Sequence, residues 1–231
     1  MGLALPFLKV NESRLVIMSY NVKVDKIPRA TIQRLAVYLQ TLERMSRDGV
    51  DLVSSEVLAQ ACDVNASQIR KDLTYFGEFG VRGVGYNIKG LIASIRQALY
   101  IDKPWNCALV GVGNLGRALL NHREFKQRQY NIVAAFDRDP FKIGEEVSGM
   151  EVMCSRRMSE VLAGKNVHLG IITTPPERAQ RTADYLIAAG IKGILNYASV
   201  HIFTPDGIFV ENVDFFNHLY ALSFNISQKS R

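Results

Sequence analysis

The chain has 231 residues, 48 % of them hydrophobic, and carries a net charge of +6. That composition builds a sizeable core and excludes a disordered or fibrous chain. The positive balance suits an anionic partner, but it is spread over both halves, so any nucleic-acid argument rests on local placement. The three cysteines, Cys62, Cys107 and Cys154, form no C-x-x-C pair. An odd, scattered count argues against a disulfide framework or a structural metal and fits a reducing, cytoplasmic setting. No run reaches the roughly 20 apolar residues of a membrane span. The apolar stretch 2–8 lacks the basic lead and cleavage site of a signal peptide. Residues 1–24 are read as an N-terminal arm, of which 1–17, before Met18, are either a genuine part or an over-long start.

Residues 28–47 read as a helix, with Pro28 in its first turn and Ile32, Leu35, Leu39 and Leu42 at helical spacing. Arg47-Asp48-Gly49 ends it. Ser54 or Ser55 caps a short helix through Ala61, and Asp63-Val64 turns the chain. Asn65 caps a second short helix, with Gln68 in the capping-box position. Helix, turn and helix within about 25 residues is the geometry of a DNA-reading motif. Next, Gly77, Gly80, Gly83 and Gly85 alternate with apolar residues, the pattern of a β-hairpin. A hairpin directly after a helix-turn-helix is a wing. Helical period returns over 89–101, and Pro104 marks a boundary.

From Trp105 the pattern changes. Strands are expected at 108–110, 132–136, 168–173 and 193–197, and helices at 115–125 and 177–189. Alternating strands and helices imply a parallel sheet covered on both faces. The fold class is therefore α/β: an N-terminal winged helix-turn-helix over 25–102 (helix-turn-helix about 38–77), then a Rossmann domain over 103–212. The segment 213–226 carries an apolar stripe (Phe216, Leu219, Tyr220, Phe224) with no later element of its own chain to pack on. It is expected to dock elsewhere, on a second subunit.

Gly111-Val112-Gly113-Asn114-Leu115-Gly116 matches G-x-G-x-x-G, directly after an apolar strand and at the opening of a helix. In that setting the first glycine makes the tight turn, the second admits a pyrophosphate, and the third packs helix on strand. Asp137 ends the second strand. A carboxylate there accepts the adenosine ribose hydroxyls and repels a 2′-phosphate, which favours NAD over NADP. Arg138 pulls the other way, because an arginine beside that site accepts a phosphate. Thr174, at the end of a later strand, is either a cofactor contact or part of a simple capped turn before the helix at 177.

On the second short helix, Ser67, Gln68, Arg70, Lys71 and Thr74 are interleaved with apolar Ile69 and Leu73, so groups that reach bases and phosphates share a helix with a core stripe. Arg82 and Gly83 lie in the wing, where a slender loop enters a minor groove. His122, His168, His201 and His218 form no recognisable pair with a carboxylate, no substrate domain follows the Rossmann unit, and no catalytic residue is assigned. Two rival readings remain at this level: an oxidoreductase with an accessory DNA-binding domain, and a CoA-binding module.

The run from Ser67 to Gly77, then Arg82-Gly83-Val84-Gly85-Tyr86, Gly111–Gly116, the run 190–196 and Glu211-Asn212-Val213-Asp214-Phe215 closely resemble the signature of Rex redox-sensing repressors, over about residues 26–226. The resemblance implies a homodimer whose C-terminal helix, 213–231, swaps onto the partner. It implies binding to inverted-repeat operators, permitted by NAD+ and released by NADH. It places Arg70, Lys71 and Arg82 at DNA, with Tyr86 in the same motif, and Phe215 in the partner's nicotinamide pocket. Family members commonly hold an Arg in the first helix and a Tyr after the glycine-rich helix, which compete for the aspartate of Asn-Val-Asp-Phe. This chain has Asp214 but holds Gln40 and His122 at the matching positions, so the switch is either altered or carried by neighbours such as Arg44 or Arg123.

Overall fold

The structure, a computed structural model, describes residues 27–75 and 85–229. It contains two compact units, one through Tyr100 and one from Ile101. Each is described by itself.

In the first unit, α1 (Arg29–Arg47) is followed by the two-residue strand β1 (Leu52–Val53), α2 (Ser55–Ala61), α3 (Ala66–Thr74), β2 (Tyr86–Asn87) and α4 (Ile88–Ala98). Leu35, Tyr38 and Leu42 of α1, Leu58 of α2, Ile69 of α3 and Ile88 and Ile95 of α4 form its buried interior. β1 and β2 pair antiparallel across the intervening helices, Val53 opposite Tyr86. The wing itself, with Arg82 and Gly83, lies outside the described residues, as does the arm 1–24.

The caps follow the sequence in part. Ser54 Oγ accepts from Val57 N at 3.2 Å, and Asn65 Oδ1 accepts from Gln68 N at 2.7 Å. The reciprocal half of the capping box is absent. Gln68 donates instead to Asp72 Oδ1 at 2.9 Å, because a buried carboxylate one turn on is the stronger acceptor.

Asp72, on α3, is fully buried. It accepts from Thr31 Oγ1 at 3.2 Å, from Arg34 Nε and Nη2 at 2.6 and 2.7 Å, and from Tyr38 OH at 2.9 Å. These donors all belong to α1, so one carboxylate holds the middle of α3 against the long helix. Burial disfavours its charge. The hydrogen bonds from Arg34, Tyr38 and Gln68 outweigh that and hold the carboxyl below its usual value.

The second unit is a seven-stranded sheet in the order β5-β6-β4-β3-β7-β8-β9. Its strands are β3 (Trp105–Val110), β4 (Tyr130–Asp137), β5 (Glu146–Val147), β6 (Met150–Cys154), β7 (Val167–Ile172), β8 (Gly193–Asn196) and β9 (Phe209–Asn212). All pairs are parallel except the β5–β6 hairpin at one edge. Side chains alternate across the strands into two cores. Ala108, Val110, Phe136 and Ile172 pack with α7 (Met158–Leu162) and α8 (Pro176–Ala188) on one face. Cys107, Leu109, Ala135 and Ile171 face the other way, toward α5 (Asn114–Leu120) and α6 (Glu124–Gln127). Desolvation in that layer pushes the Cys107 thiol up to about 11.

The single helix expected over 115–125 is thus two. The break falls at Asn121, whose amide donates to Arg117 O at 2.8 Å and so closes the first helix. The strands β5, β6 and β9 and the helix α7 have no counterpart in the sequence reading. The last helix, α9 (Phe215–Lys229), leaves Phe215, Phe216, Leu219, Tyr220 and Phe224 exposed.

Removing the Asp72 carboxylate strands Arg34, Tyr38 and Thr31 together. Asp72→Ala is expected to cost about 3–5 kcal/mol, the typical loss when a buried pair is broken, read by urea unfolding followed by circular dichroism. The carboxyl has a lowered folded pKa, so its contribution is complete above the unfolded value near pH ~4. It is lost as pH falls through the folded value. An acid-induced loss of stability that is equally steep in wild type and Asp72→Asn would contradict this.

Candidate functional site

The strand order reverses at β3: β4 and β6 lie to one side, β7 and β8 to the other. Ligands of open α/β sheets bind at such a switch point, beyond the carboxyl ends of the strands. A crevice of about 780 Å³ opens there. It is built from the turn after β3, the segment after β4, the end of β6 and the start of α8.

The glycine turn has the shape its spacing predicts. Gly111 sits at φ +103°, and a Cβ there would stand 2.8 Å from the Thr173 carbonyl. Gly116 allows no Cβ either, since it would collide with Gly111 O. Thr173 ties the two turns: its N–H donates to Val110 O at 2.9 Å and its hydroxyl to Gly111 O at 2.7 Å. Over Gly113 the space is open, with nothing within 4 Å of a built Cβ. This is the room that a dinucleotide pyrophosphate requires. The buried Thr174 hydroxyl at the same edge has no hydrogen-bond partner among the described residues, which also fits a site meant to be filled.

The structure brings five of the expected cofactor residues to this crevice: Gly111, Gly113, Asp137, Arg138 and Thr174. Val112 and Gly116 are buried behind it, and Asn114 and Leu115 are exposed at the start of α5 without lining it. Phe215 lies on α9, 64 % exposed. Sequence reasoning missed Lys142, Cys154, Arg156, Arg178 and Arg181, all of which line the crevice. The available signal for Arg156 was the turn dipeptide Ser148-Gly149, which precedes the five-residue strand over 150–154 leading to it.

Asp137 does more than face a ribose. Its Oδ2 accepts from Val112 N at 2.8 Å and from Lys142 Nζ at 3.3 Å. Its Oδ1 accepts from Arg138 N at 2.7 Å and Asp139 N at 3.0 Å. Burial raises the cost of its charge, but the backbone N–H groups and Lys142 prevail and keep the carboxyl below its usual value. The four acceptor positions of a carboxylate are therefore occupied by the chain itself. The expected ribose contact requires Lys142, the one mobile donor, to yield its place.

On the first unit, Ser67, Arg70, Lys71 and Thr74 are exposed on α3, while Ile69 and Leu73 are buried beneath them. Arg70 Nη1 donates to Ser55 Oγ at 2.8 Å and Glu56 Oε1 at 3.1 Å, a surface pair that holds α3 to α2. Two expected DNA contacts sit elsewhere. Gln68 is turned inward to Asp72, and Tyr86 is 8 % exposed at the root of the wing, where its ring completes the core. A ring buried in this way packs in its own unit's core and does not also reach a groove.

Of the three switch positions, Gln40 is exposed on α1 and His122 is exposed in the break between α5 and α6, edge-on to Phe125. Asp214 Oδ1 accepts from Phe216 N at 2.9 Å and so caps α9. No cluster of His, Cys, Asp or Glu able to hold a metal occurs among the described residues. No helix among them is long and apolar enough to cross a membrane.

Residues 26–74 match the family model of a putative DNA-binding protein N-terminus, and residues 102–200 match that of a CoA binding domain. The redox-sensing transcriptional repressor Rex of Maridesulfovibrio salexigens is 60 % identical, over 89 % of this chain and 99 % of that protein. The Rex of Solidesulfovibrio magneticus is 56 % identical, over 89 % and 94 %. Among solved structures, RSP, a Rex-family repressor, in complex with β-NAD+ and operator DNA superposes with a TM-score of 0.84 at 35 % identity, covering 89 % of this chain and 94 % of RSP. RSP in complex with β-NADH gives 0.81 at 33 %, covering 88 % and 96 %. With full-length relatives at this identity, and a DNA-binding unit and a dinucleotide crevice in the same order, the chain belongs to the Rex family of redox-sensing transcriptional repressors.

Proposed function

We propose that the chain is a repressor, not an enzyme, that binds inverted-repeat operator DNA in its NAD+-bound or free form and leaves it when NADH binds. The observation that carries this reading is that both units, in one order and over 89 % of the chain, superpose on RSP solved with NAD+ and operator DNA. Residues 25–102 are the DNA-binding domain and 103–212 the NAD(H) domain. The cytoplasm is the compartment that holds both ligands, and three unpaired cysteines suit it.

The working form is a homodimer through 213–231. Seven large apolar side chains exposed on one helix, Leu222 and Ile226 among them, are a surface to be covered, and a swapped helix from a second copy covers it reciprocally. Asp214 is then the switch residue, offered to Gln40 in one quaternary state and to His122 in the other. Gln40 supplies a neutral donor, and charged hydrogen bonds are roughly twice as strong as neutral ones. The hold on the DNA-bound state is correspondingly weaker than an arginine would give.

The reading is tested by fluorescence anisotropy on a labelled inverted-repeat duplex selected with the protein from random duplexes. NADH is expected to release the duplex at concentrations where NAD+ does not, and equal responses to the two would refute a redox sensor. In the same assay Arg70→Ala is expected to lose about 1–3 kcal/mol of operator binding while NADH affinity, measured separately, is retained. Unchanged operator affinity would remove α3 from the interface. Deleting 213–231 is expected to yield monomers or aggregate in sedimentation velocity, and a soluble dimeric truncation would place the interface elsewhere.

A further inference from the structure

Arg70, on α3, is held differently from the other arginines that meet a carboxylate. Arg34 and Arg157 each grip one with the adjacent donors Nε and Nη2, at 2.6 and 2.7 Å to Asp72 and at 3.0 and 2.6 Å to Glu160. Those two donors form the planar fork that matches a pair of acceptors. Arg70 commits Nη1 instead, donating to Ser55 Oγ at 2.8 Å and to Glu56 Oε1 at 3.1 Å, both on α2. Its Nη2 stands 3.5 Å from Ser67 Oγ, past the usual length of an N–H bond, and its Nε has no acceptor among the described residues. The guanidinium is therefore fixed at one nitrogen while its Nε–Nη2 fork stays open.

The acceptors that hold it are themselves fixed. Glu56 lies in the first turn of α2, where the helix dipole favours a carboxylate. Hydrogen bonds from its own backbone N–H and from the Ser54 and Ser55 hydroxyls keep its carboxyl below the usual value. Ser55 is buried at the start of α2, and its hydroxyl donates to Glu56 Oε1 at 3.2 Å while accepting from Arg70. The three side chains thus close a ring of hydrogen bonds. An ordinary exposed ion pair joins two wandering side chains and contributes little. Here one partner is tied to a helix end, so the pairing removes rotamer freedom from an exposed arginine before any ligand arrives. It also sets a carboxylate beside Arg70, where it repels phosphate. On a surface that meets DNA, such a charge weakens binding unless a gain in orientation offsets it.

We propose that Glu56 and Ser55 are positioning residues for DNA reading, holding Arg70 so that its Nε–Nη2 fork meets a pair of acceptors on the operator as a preformed unit. The proposal rests on the reading above that α3 faces DNA. Duplex DNA offers paired acceptors of that shape at the O6/N7 edge of guanine and on phosphate oxygens. A fork held in one orientation engages acceptors in register and loses those out of register. The nearby carboxylate adds a penalty for any duplex that leaves the fork unused, so discrimination is gained at a cost in raw affinity.

The test is a double-mutant cycle on the full-length protein, read by fluorescence anisotropy on the selected inverted-repeat duplex and on a scrambled duplex of equal length and composition. Ser55→Ala, Glu56→Ala and Arg70→Ala are measured singly, and the first two again in combination with Arg70→Ala. Ser55→Ala changes no charge. It is expected to weaken operator binding about three- to tenfold, the effect of one hydrogen bond, and to have no effect once Arg70 is gone. Glu56→Ala also removes a charge that repels phosphate, so with Arg70→Ala it should tighten binding to both duplexes. With Arg70 present it should tighten less or weaken, and the two backgrounds should differ by about tenfold on the operator, within the contribution of one bidentate contact. A difference confined to the operator assigns the fork to a guanine edge. An equal difference on both duplexes, with the salt slope lowered by about one in Arg70→Ala, assigns it to a phosphate. Effects that are identical with and without Arg70 overturn the proposal. So does the opposite sign, in which freeing Arg70 tightens the operator complex, since Glu56 is then a competitor of DNA. Thermal melts matched to wild type establish folding, and Ser55→Ala alone decides the matter where Glu56→Ala does not fold. If Arg70→Ala weakens operator binding but the cycle shows no coupling, this proposal alone falls; if Arg70→Ala leaves operator affinity unchanged, the placement of α3 at DNA falls and this proposal with it.

Discussion

The cofactor crevice depends on how closely two strand ends approach each other. At the switch point, the turn after β3 lies so near the turn after β7 that no side chain fits between Gly111 and Thr173. The Thr173 hydroxyl then bonds across the gap to the Gly111 carbonyl at 2.7 Å. A substitution at Gly111 fails twice, through the left-handed φ and through the collision. The seam is closed at its floor, the space over Gly113 is open, and α5 starts directly from the turn.

A buried aspartate gives each unit its second fixed point, and the two work alike. Asp72 draws five donors from two helices and sets α3 against α1. Asp137 draws four from the glycine turn and the segment after β4 and locks one against the other. A buried charge is tolerated only when it is fully bonded, so each carboxylate dictates the positions of many neighbours at once. The side chains proposed to contact ligands, Arg70 and Lys71 in one unit and Arg138 in the other, stand within two residues of these aspartates. Their backbones are thereby held rigid while their side chains stay exposed.

Much of this was legible in the sequence because the relevant signals are local. Caps at Ser54 and Asn65, helical period over 28–47 and glycine spacing over 111–116 each follow from near neighbours. What was not legible depends on distant partners. Nothing in Gln68 announces that its amide will turn to Asp72, since the competitor to the capping box is created by folding around Arg34 and Tyr38. Tyr86 sits in a glycine-rich motif suited to a wing, and only its pairing with Val53 puts the ring inside. β5 and β9 are too short and too exposed to leave a hydrophobic period, and β6 has only five residues. Missing β6 hid Arg156, since only pairing with β4 brings it to the crevice. The weight given to Asp137 came from its position at a strand end. That position is correct, but the number of its internal hydrogen bonds cannot be read from position.

The C-terminal helix shows how stability and function become one quantity in such a molecule. Isolated helices of about 15 residues are marginal in water, and α9 has 15, with Phe215, Phe216, Leu219, Tyr220 and Phe224 exposed. The cap from Asp214 satisfies one end and contributes only about 1 kcal/mol. Burial of the aromatic stripe contributes more, roughly 1.5–3 kcal/mol per large side chain fully covered. In the dimer proposed above, that burial comes from the partner, so folding of α9 is linked to subunit concentration by mass action. The same helix begins at Asp214. A change in quaternary arrangement that moves α9 therefore moves the aspartate with it, and a shift in the aspartate's partner feeds back on the helix through its cap. Because Oδ1 is committed to Phe216 N, a partner that binds through the other oxygen leaves the cap in place, while one that takes both must begin by unwinding the first turn. The first route costs little and suits a reversible sensor; in the switch proposed above, a neutral donor such as Gln40 would take the free oxygen, whereas a bidentate arginine would compete with the cap.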